Sequence, residues 1–216
     1  MRNFEPMFKL TLLACLALSG TCARAQYTGY TAVSNAAAFQ QQFAAATQRT
    51  QSIQSDFVQE KNLSMLSQKI VSKGKFWFKR ENRVRMEYTS PFTYLMILAD
   101  NHIYIKDGQH ENNLSAKSSK LLGQINQLIV DCVKGTILSN TDFRVRVFEG
   151  AQSYLLELTP VSPRLKDLFQ NVRVFIDKKD FSASAIDMLE PSGDFTNISF
   201  THKELNANVP DALFIH

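Results

Sequence analysis

Cysteine is scarce in this chain of 216 residues, and the scarcity excludes a disulfide framework. Two of the 3 cysteines, Cys15 and Cys22, lie within the first 25 residues. Cys132 is left alone and has no internal partner. Set among Leu128, Ile129 and Val133, it reads as a small buried hydrophobe. Histidine is equally thin: His102, His110, His202 and His216 are scattered, and no His or Cys spacing suits zinc. The 8 glycines are dispersed and build no phosphate-binding loop, and no G-x-S-x-G elbow occurs. Nothing in the pattern points to catalysis or implies a cofactor. Charge of one sign is not in excess. The net charge is +4, and it falls to +2 without Arg2, Lys9, Arg24 and Glu5, so nothing argues for nucleic acid. Arg83/Arg85 and Arg144/Arg146 read as the wet side of a sheet, as do Glu87 and Glu157.

Long apolar runs are missing too. The most apolar stretch, Leu10 to Leu18, is too short to span a bilayer. It follows the basic Arg2 and Lys9 and precedes Ala23-Arg24-Ala25, a small-x-small site before Gln26. That is the pattern of a secretory signal. Leu12-Leu13-Ala14-Cys15 is a vague match to a lipidation site and would leave a very short apolar core behind Lys9. The expectation is a signal peptide at residues 1–25, removed to leave a soluble exported protein. No composition shift or fixed repeat divides residues 26–216, which read as a single domain.

Aromatic residues and strand patterning are plentiful. Phe alone numbers 16, enough to build a core. The clearest pattern runs from Ser72 to Thr89 and reads as a β-hairpin. Phe76 and Phe78 share a face and Arg80 has their parity, while Lys75, Trp77 and Lys79 share the other. Glu81 and Asn82 make the turn. Val84, Met86 and Tyr88 then alternate with Arg83, Arg85 and Glu87. Thr93 to Ala99 is almost wholly apolar, which requires cover on both faces. It returns through Asp100-Asn101 into His102–Lys106, and residues 107–113 read as a polar loop. Further strands are expected at Phe143–Glu149, Ser153–Thr159, Asn171–Ile176, Ala183–Leu189 and Phe195–Thr201, after a β region opening near Ser55.

Two helices interrupt the strands. The alanine- and glutamine-rich stretch from Ser34 to Arg49 puts Phe39 and Phe43 on one face, with Ser34 as N-cap. Ser118 to Lys134 carries Leu121, Leu122, Ile125, Leu128, Ile129, Cys132 and Val133 at 3- and 4-residue spacings, and Gly135 stops it. Residues 160–170 read as one turn of helix closing under Phe169, and the apolar tail Leu213-Phe214-Ile215 reads as tied down. The fold class is α+β, mainly β: about ten strands in one strongly bent antiparallel sheet, covered on one side by two helices.

Phe57-Val-Gln-Glu-Lys61, then Gly74-Lys-Phe-Trp-Phe-Lys-Arg80, Val84-Arg-Met-Glu-Tyr88 and Pro91, taken in order, resemble the LolA family of periplasmic outer-membrane lipoprotein carriers. Leu158-Thr-Pro160, Phe169, Val172–Asp177, Gly193-Asp194-Phe195-Thr196 and Phe214 extend the resemblance. It implies an unclosed β-barrel with a helical lid over an apolar cavity that takes the acyl chains of lipoproteins. It also implies a monomer in the periplasm, loaded by an inner-membrane ABC exporter complex and unloaded by an outer-membrane acceptor. The candidate cavity wall is Phe57, Phe76, Phe78, Val84, Met86 and Tyr88 from the strands and Ile125, Leu128 and Ile129 from the second helix. The family's functional arginine falls on Arg80, as a latch on backbone carbonyls of the lid. Glu81 stands where the family commonly has proline, and Asn101 where it has a turn glycine. The alternative on the same fold is a periplasmic binding or sensor module for another lipid or hydrophobic ligand.

Overall fold

Period-2 patterning dominates the chain beyond Gln51, and it builds one sheet. The computed structural model describes residues 27–100, 102–108, 110–115 and 120–215; side chains between 112 and 126 are not described. The signal peptide expected at residues 1–25 lies outside the described residues. The strands are β1 (Thr31–Ala32), β2 (Ser52–Asn62), β3 (Ile70–Lys79), β4 (Arg83–Ser90), β5 (Tyr94–Ala99) and β6 (His102–Asp107), followed by β7 (His110–Ser115), β8 (Phe143–Glu149), β9 (Ser153–Pro160), β10 (Asn171–Asp177), β11 (Ala183–Leu189) and β12 (Phe195–Leu205). They form a single 12-stranded sheet in the order β1-β8-β9-β10-β11-β12-β2-β3-β4-β5-β6-β7. Neighbours run antiparallel throughout, and β12 against β2 joins the two halves. The end strands β1 and β7 leave an unclosed barrel.

The helices α1 (Ala36–Arg49) and α2 (Lys120–Lys134) lie over the inner face. Asn35 caps α1, its side-chain oxygen accepting from the Ala38 N–H at 2.9 Å, one residue later than expected. Asn serves there as well as Ser. The residues expected as a polar loop contain the first four residues of β7, which pairs with β6 from Asp107↔His110 to His102↔Ser115. His110-Glu-Asn-Asn-Leu-Ser115 shows no apolar alternation because an edge strand pairs through its backbone. The turn of helix before Phe169 is α3 (Pro163–Lys166).

Two inner cores meet under the helices. One joins Phe39 and Phe43 of α1 to Leu156, Leu158, Val172 and Val174 of β9 and β10. The other joins Ile53, Phe57, Phe76, Phe78, Val84 and Met86 of β2–β4 to Met96, Leu98 and Ile103. A third cluster lies on the outer face: Trp77, Ile97 and Tyr104 packed under Val209 and Phe214. Trp77 shares the outer face with Lys75 and Lys79 but is not exposed there; the C-terminal segment covers it. This also supplies the second cover that the apolar β5 requires.

The segment is held by charge. Lys79 Nζ and Arg83 Nη1 donate to Asp211 Oδ1 at 2.5 and 2.7 Å. Lys79 also donates to the Val209 carbonyl at 2.8 Å, and Arg85 to that of Leu213 at 3.0 Å. The hydrogen bond from Lys79, then the charge of Arg83, hold the Asp211 carboxyl below its ordinary value. The anchorage is thus complete above the usual Asp range, about pH 4, and is lost as pH falls through the lower folded value. Trp77 is the only tryptophan in the chain and reports on the segment. Asp211→Asn should red-shift its fluorescence already at neutral pH, whereas the parent protein should shift only on acidification below about pH 4. Identical emission from pH 7 to 3 would show that Asp211 does not hold the segment.

Glu157 is likewise not on a solvated face. It is buried, accepting from Tyr27 Oη at 2.6 Å and from Arg146. Burial works to raise its carboxyl, but the bonds from Arg146 and Tyr27 outweigh it and hold the value down.

Candidate functional site

The covering helix α1 turns directly into β2, so its C-terminal end lies beside the far end of β3. The last carbonyls of a helix have no partners within it. Here Arg80 supplies them. Its Nη2 donates to the Thr47 carbonyl at 2.8 Å and the Gln48 carbonyl at 3.0 Å, and its Nε donates to the Thr50 carbonyl at 2.7 Å. The Arg80 N–H donates to the Gln51 carbonyl at 2.9 Å. One half-buried guanidinium thus clamps the joint between lid and sheet from the negative end of the helix dipole. Glu81 does not divert its neighbours: Arg83 donates to Asp211 and, at 3.2 Å, to the Arg80 carbonyl.

The second helix crosses α1 at close range. Gly135 ends α2 with φ of +74°, and a Cβ there would lie 2.5 Å from Thr47 Oγ1. Only glycine satisfies both the left-handed turn and the approach. Asp131 is buried on α2 and accepts from Gln127, Thr136 and Asn140 at 2.7–2.9 Å, which braces the helix end with neutral donors. Leu128 and Cys132 face the core of β8–β11, whereas Val130, with Ile129 and Val133, faces that of β2–β6. Burial, and then the neighbouring Asp131, push the Cys132 thiol up, so it stays protonated.

Between lid and sheet lies a cavity of about 30 Å³, lined by Phe76, Ile129, Val133, Ile186 and Phe200, with Thr47 and Thr50 on the lid side. That is room for about two waters. Ligand pockets run to hundreds of Å³. Apolar side chains of the sheet and of α2 fill most of the space between them around this cavity.

Of the residues expected to wall the cavity, Phe76 and Ile129 line it. Phe57, Phe78, Val84 and Met86 are buried in the core behind it. Leu128 belongs to the core on the other side. The Ile125 side chain lies outside the described residues. Tyr88 is half-buried, packs edge-on to Phe57 at 4.9 Å and donates to Gln59 Oε1 at 2.9 Å. Burial, then Tyr94, push its hydroxyl up to about 12, so it is a neutral donor. Sequence reasoning missed the far end of the cavity: Ser55 from β2, Phe181, Ser182 and Ile186 around the start of β11, and Phe200 and Lys203 from β12. Among the described residues no helix is long and apolar enough to cross a membrane, and no cluster of His, Cys, Asp or Glu suits a metal ion.

A family model described as outer membrane lipoprotein carrier protein LolA matches residues 48–215. No protein of curated function matches in sequence. Among solved structures, MucB is similar with a TM-score of 0.51 at 16% identity, over 83% of this chain and 62% of that one. An uncharacterized conserved protein from Thermus thermophilus gives 0.50 at 8% identity, over 84% and 94%. A LolA superfamily protein from Nitrosomonas europaea gives 0.44 at 13% identity, over 82% and 97%. At these identities the likeness to MucB and to the Thermus protein is one of fold.

Proposed function

We propose, since the chain belongs to the LolA family of outer membrane lipoprotein carrier proteins, that it binds the acyl chains of lipoproteins and carries them from the inner to the outer membrane. On this reading it works in the periplasm after removal of residues 1–25. An inner-membrane ABC exporter complex loads it, an outer-membrane acceptor unloads it, and it catalyses no reaction.

The observation that carries the reading is the clamp of Arg80 on three main-chain carbonyls at the end of α1, beside an apolar cavity. Burying an acyl chain gains about 0.8 kcal/mol per methylene. A site that simply stood open would hold such a chain too tightly to release it. A carrier needs a competing closed state of similar free energy. The clamp stabilises that state with bonds that are strong together and individually breakable. Arg80 is the latch, and the walls from Phe76 to Tyr88 and on α2 are the surface exposed when it opens.

The test is to mix the detergent-free protein with a triacylated lipoprotein, isolate the soluble complex by gel filtration and identify its lipid by mass spectrometry. A soluble complex retaining the triacylated N terminus, which then passes its cargo to vesicles, is expected. If the lipoprotein aggregates as it does alone, the reading fails. A complex that forms but never hands its cargo on is a sensor's behaviour and also overturns it.

A further inference from the structure

We infer that the far end of the cavity is a head-group subsite that selects neutral acyl esters over free fatty-acid anions, through Lys203 and Ser55. The inference rests on the carrier reading and names the chemistry at the end of the acyl chain.

Lys203 reaches the cavity because β12 is irregular. Ile198 and Phe200 point inward, so alternation would turn His202 inward as well. The pairing with β2 instead jumps from Thr201↔Asp56 to Glu204↔Gln54. His202 takes a φ of +52° and bonds Asp56 Oδ2 on the outside at 3.0 Å. The extra residue rotates the next side chains by one position. Lys203 then lines the cavity, and Leu205 packs with the inner core. Across the bulge, at the single β2 position between those two pairs, stands Ser55. Its residue is only 3% exposed, it lines the same cavity, and its hydroxyl has no hydrogen-bond partner. A buried hydroxyl without a partner is costly and points to a group that completes it.

The ammonium is also incompletely used. Its side chain is 13% exposed, and it donates to Ser182 Oγ at 2.6 Å. The Ser182 hydroxyl in turn donates to Asp180 at 2.7 Å. The carboxylates of Asp177 and Asp180 lie 3.8 and 3.7 Å from the nitrogen. That is beyond a hydrogen bond but close enough to neutralise the charge. An ammonium has three donors, so it can give more to an incoming acceptor. The flanking carboxylates decide which kind. A fatty-acid anion meets two negative charges beside the one positive. A carbonyl oxygen of an ester meets the same donors without the repulsion. The apolar lining from Phe76, Phe200, Ile186 and Ile129 takes the tail, and the Lys203–Ser55 end takes the carbonyl.

The experiment uses the full mature chain and displacement of the neutral dye N-phenyl-1-naphthylamine by monomyristoylglycerol or myristate at neutral pH. The protein should bind the ester at least about tenfold more tightly than the acid, the size of one charge-assisted hydrogen bond. Lys203→Met should lose about that factor for the ester. Ser55→Ala should lose a smaller part of it. Equal affinity for ester and acid in the parent protein overturns the inference without recourse to any variant. So does an ester affinity unchanged in both variants. If neither the dye nor either amphiphile binds, the carrier reading falls, and this inference with it.

Discussion

Arg80→Leu should bind lipid more tightly than the parent protein and fail to release it to acceptor vesicles. The reasoning starts from what the guanidinium does in the closed state. It makes three charge-assisted bonds, to the carbonyls of Thr47, Gln48 and Thr50. Such bonds contribute about 1.5–3 kcal/mol each net of exchange with water, and less where the group is partly exposed, as Arg80 is. A net loss of roughly 3 kcal/mol from the closed state is a fair sum, or about a hundredfold in its population relative to the open one. On the carrier reading lipid binds the open state, so its apparent affinity should rise as closure weakens. Leucine also adds apolar surface at the end of the row begun by Phe76 and Phe78. The release rate into vesicles should fall by a comparable factor. Arg80→Lys keeps the charge but lacks the planar fork that reaches several carbonyls at once, so it should fall between the two. Transfer from Arg80→Leu at the parental rate would remove the latch from the mechanism.

Much of this architecture could be read in the chain, and the limits have physical causes. The hairpin of β3 and β4 was legible because large apolar residues recur at every second position in Phe76 and Phe78 and again in Val84, Met86 and Tyr88. The face shared by Phe76, Phe78, Val84 and Met86 is the buried one. The helix lying on the sheet was legible from Phe39 and Phe43. Trp77 was not, because its cover comes from residues far along the chain: alternation shows which residues share a face, not what lies on it. Glu157 was misplaced for a related reason. Its burial depends on Tyr27 packing from the other end of the sequence. The polar β7 carries no apolar signal, since its pairing with β6 is made by the backbone. Lys203 was the most consequential omission. A trace of it was present: Ile198 and Phe200 are apolar at even positions, whereas Leu205 is apolar at an odd one. That change of parity within one strand marks a bulge. A one-residue offset moved a lysine from the solvent face to the cavity.

On the carrier reading, closure and cargo compete for the same surface. Phe76 and Phe200 pack edge-to-face at 5.4 Å across the sheet, and both line the small cavity. The lid covers them in the closed state; an acyl chain would cover them in the open one. Neither state leaves the apolar face in water, so the free-energy difference between them is small compared with the burial in either. A few hydrogen bonds at the α1–β2 joint are then enough to decide it.

Gly74→Ala is expected to have the largest effect on stability, although the side chain added is a single methyl. Gly74 lies on the inner face of β3, directly opposite Phe57 of β2. On its other side the pairing with β4 slips, from Lys73↔Ser90 to Gly74↔Tyr88. A Cβ at Gly74 would come within 2.1 Å of the Glu87 carbonyl oxygen and 2.7 Å of the Phe57 ring. The ring is 1% exposed and has nowhere to rotate, being packed on Tyr88. The carbonyl belongs to a strand and moves only if the β3–β4 ladder opens. Overpacking of this kind costs about 3 kcal/mol, and a broken ladder adds to it. The urea midpoint should fall by more than that of any single surface substitution, and the aromatic wall should loosen with it. Adding Phe57→Ala should not restore stability, because it clears the ring and leaves the carbonyl in place. Recovery in the double variant would instead make the ring the obstacle. A Gly74→Ala protein within about 0.5 kcal/mol of the parent would show that β4 yields there at little cost, and that the slip in register is not what requires glycine.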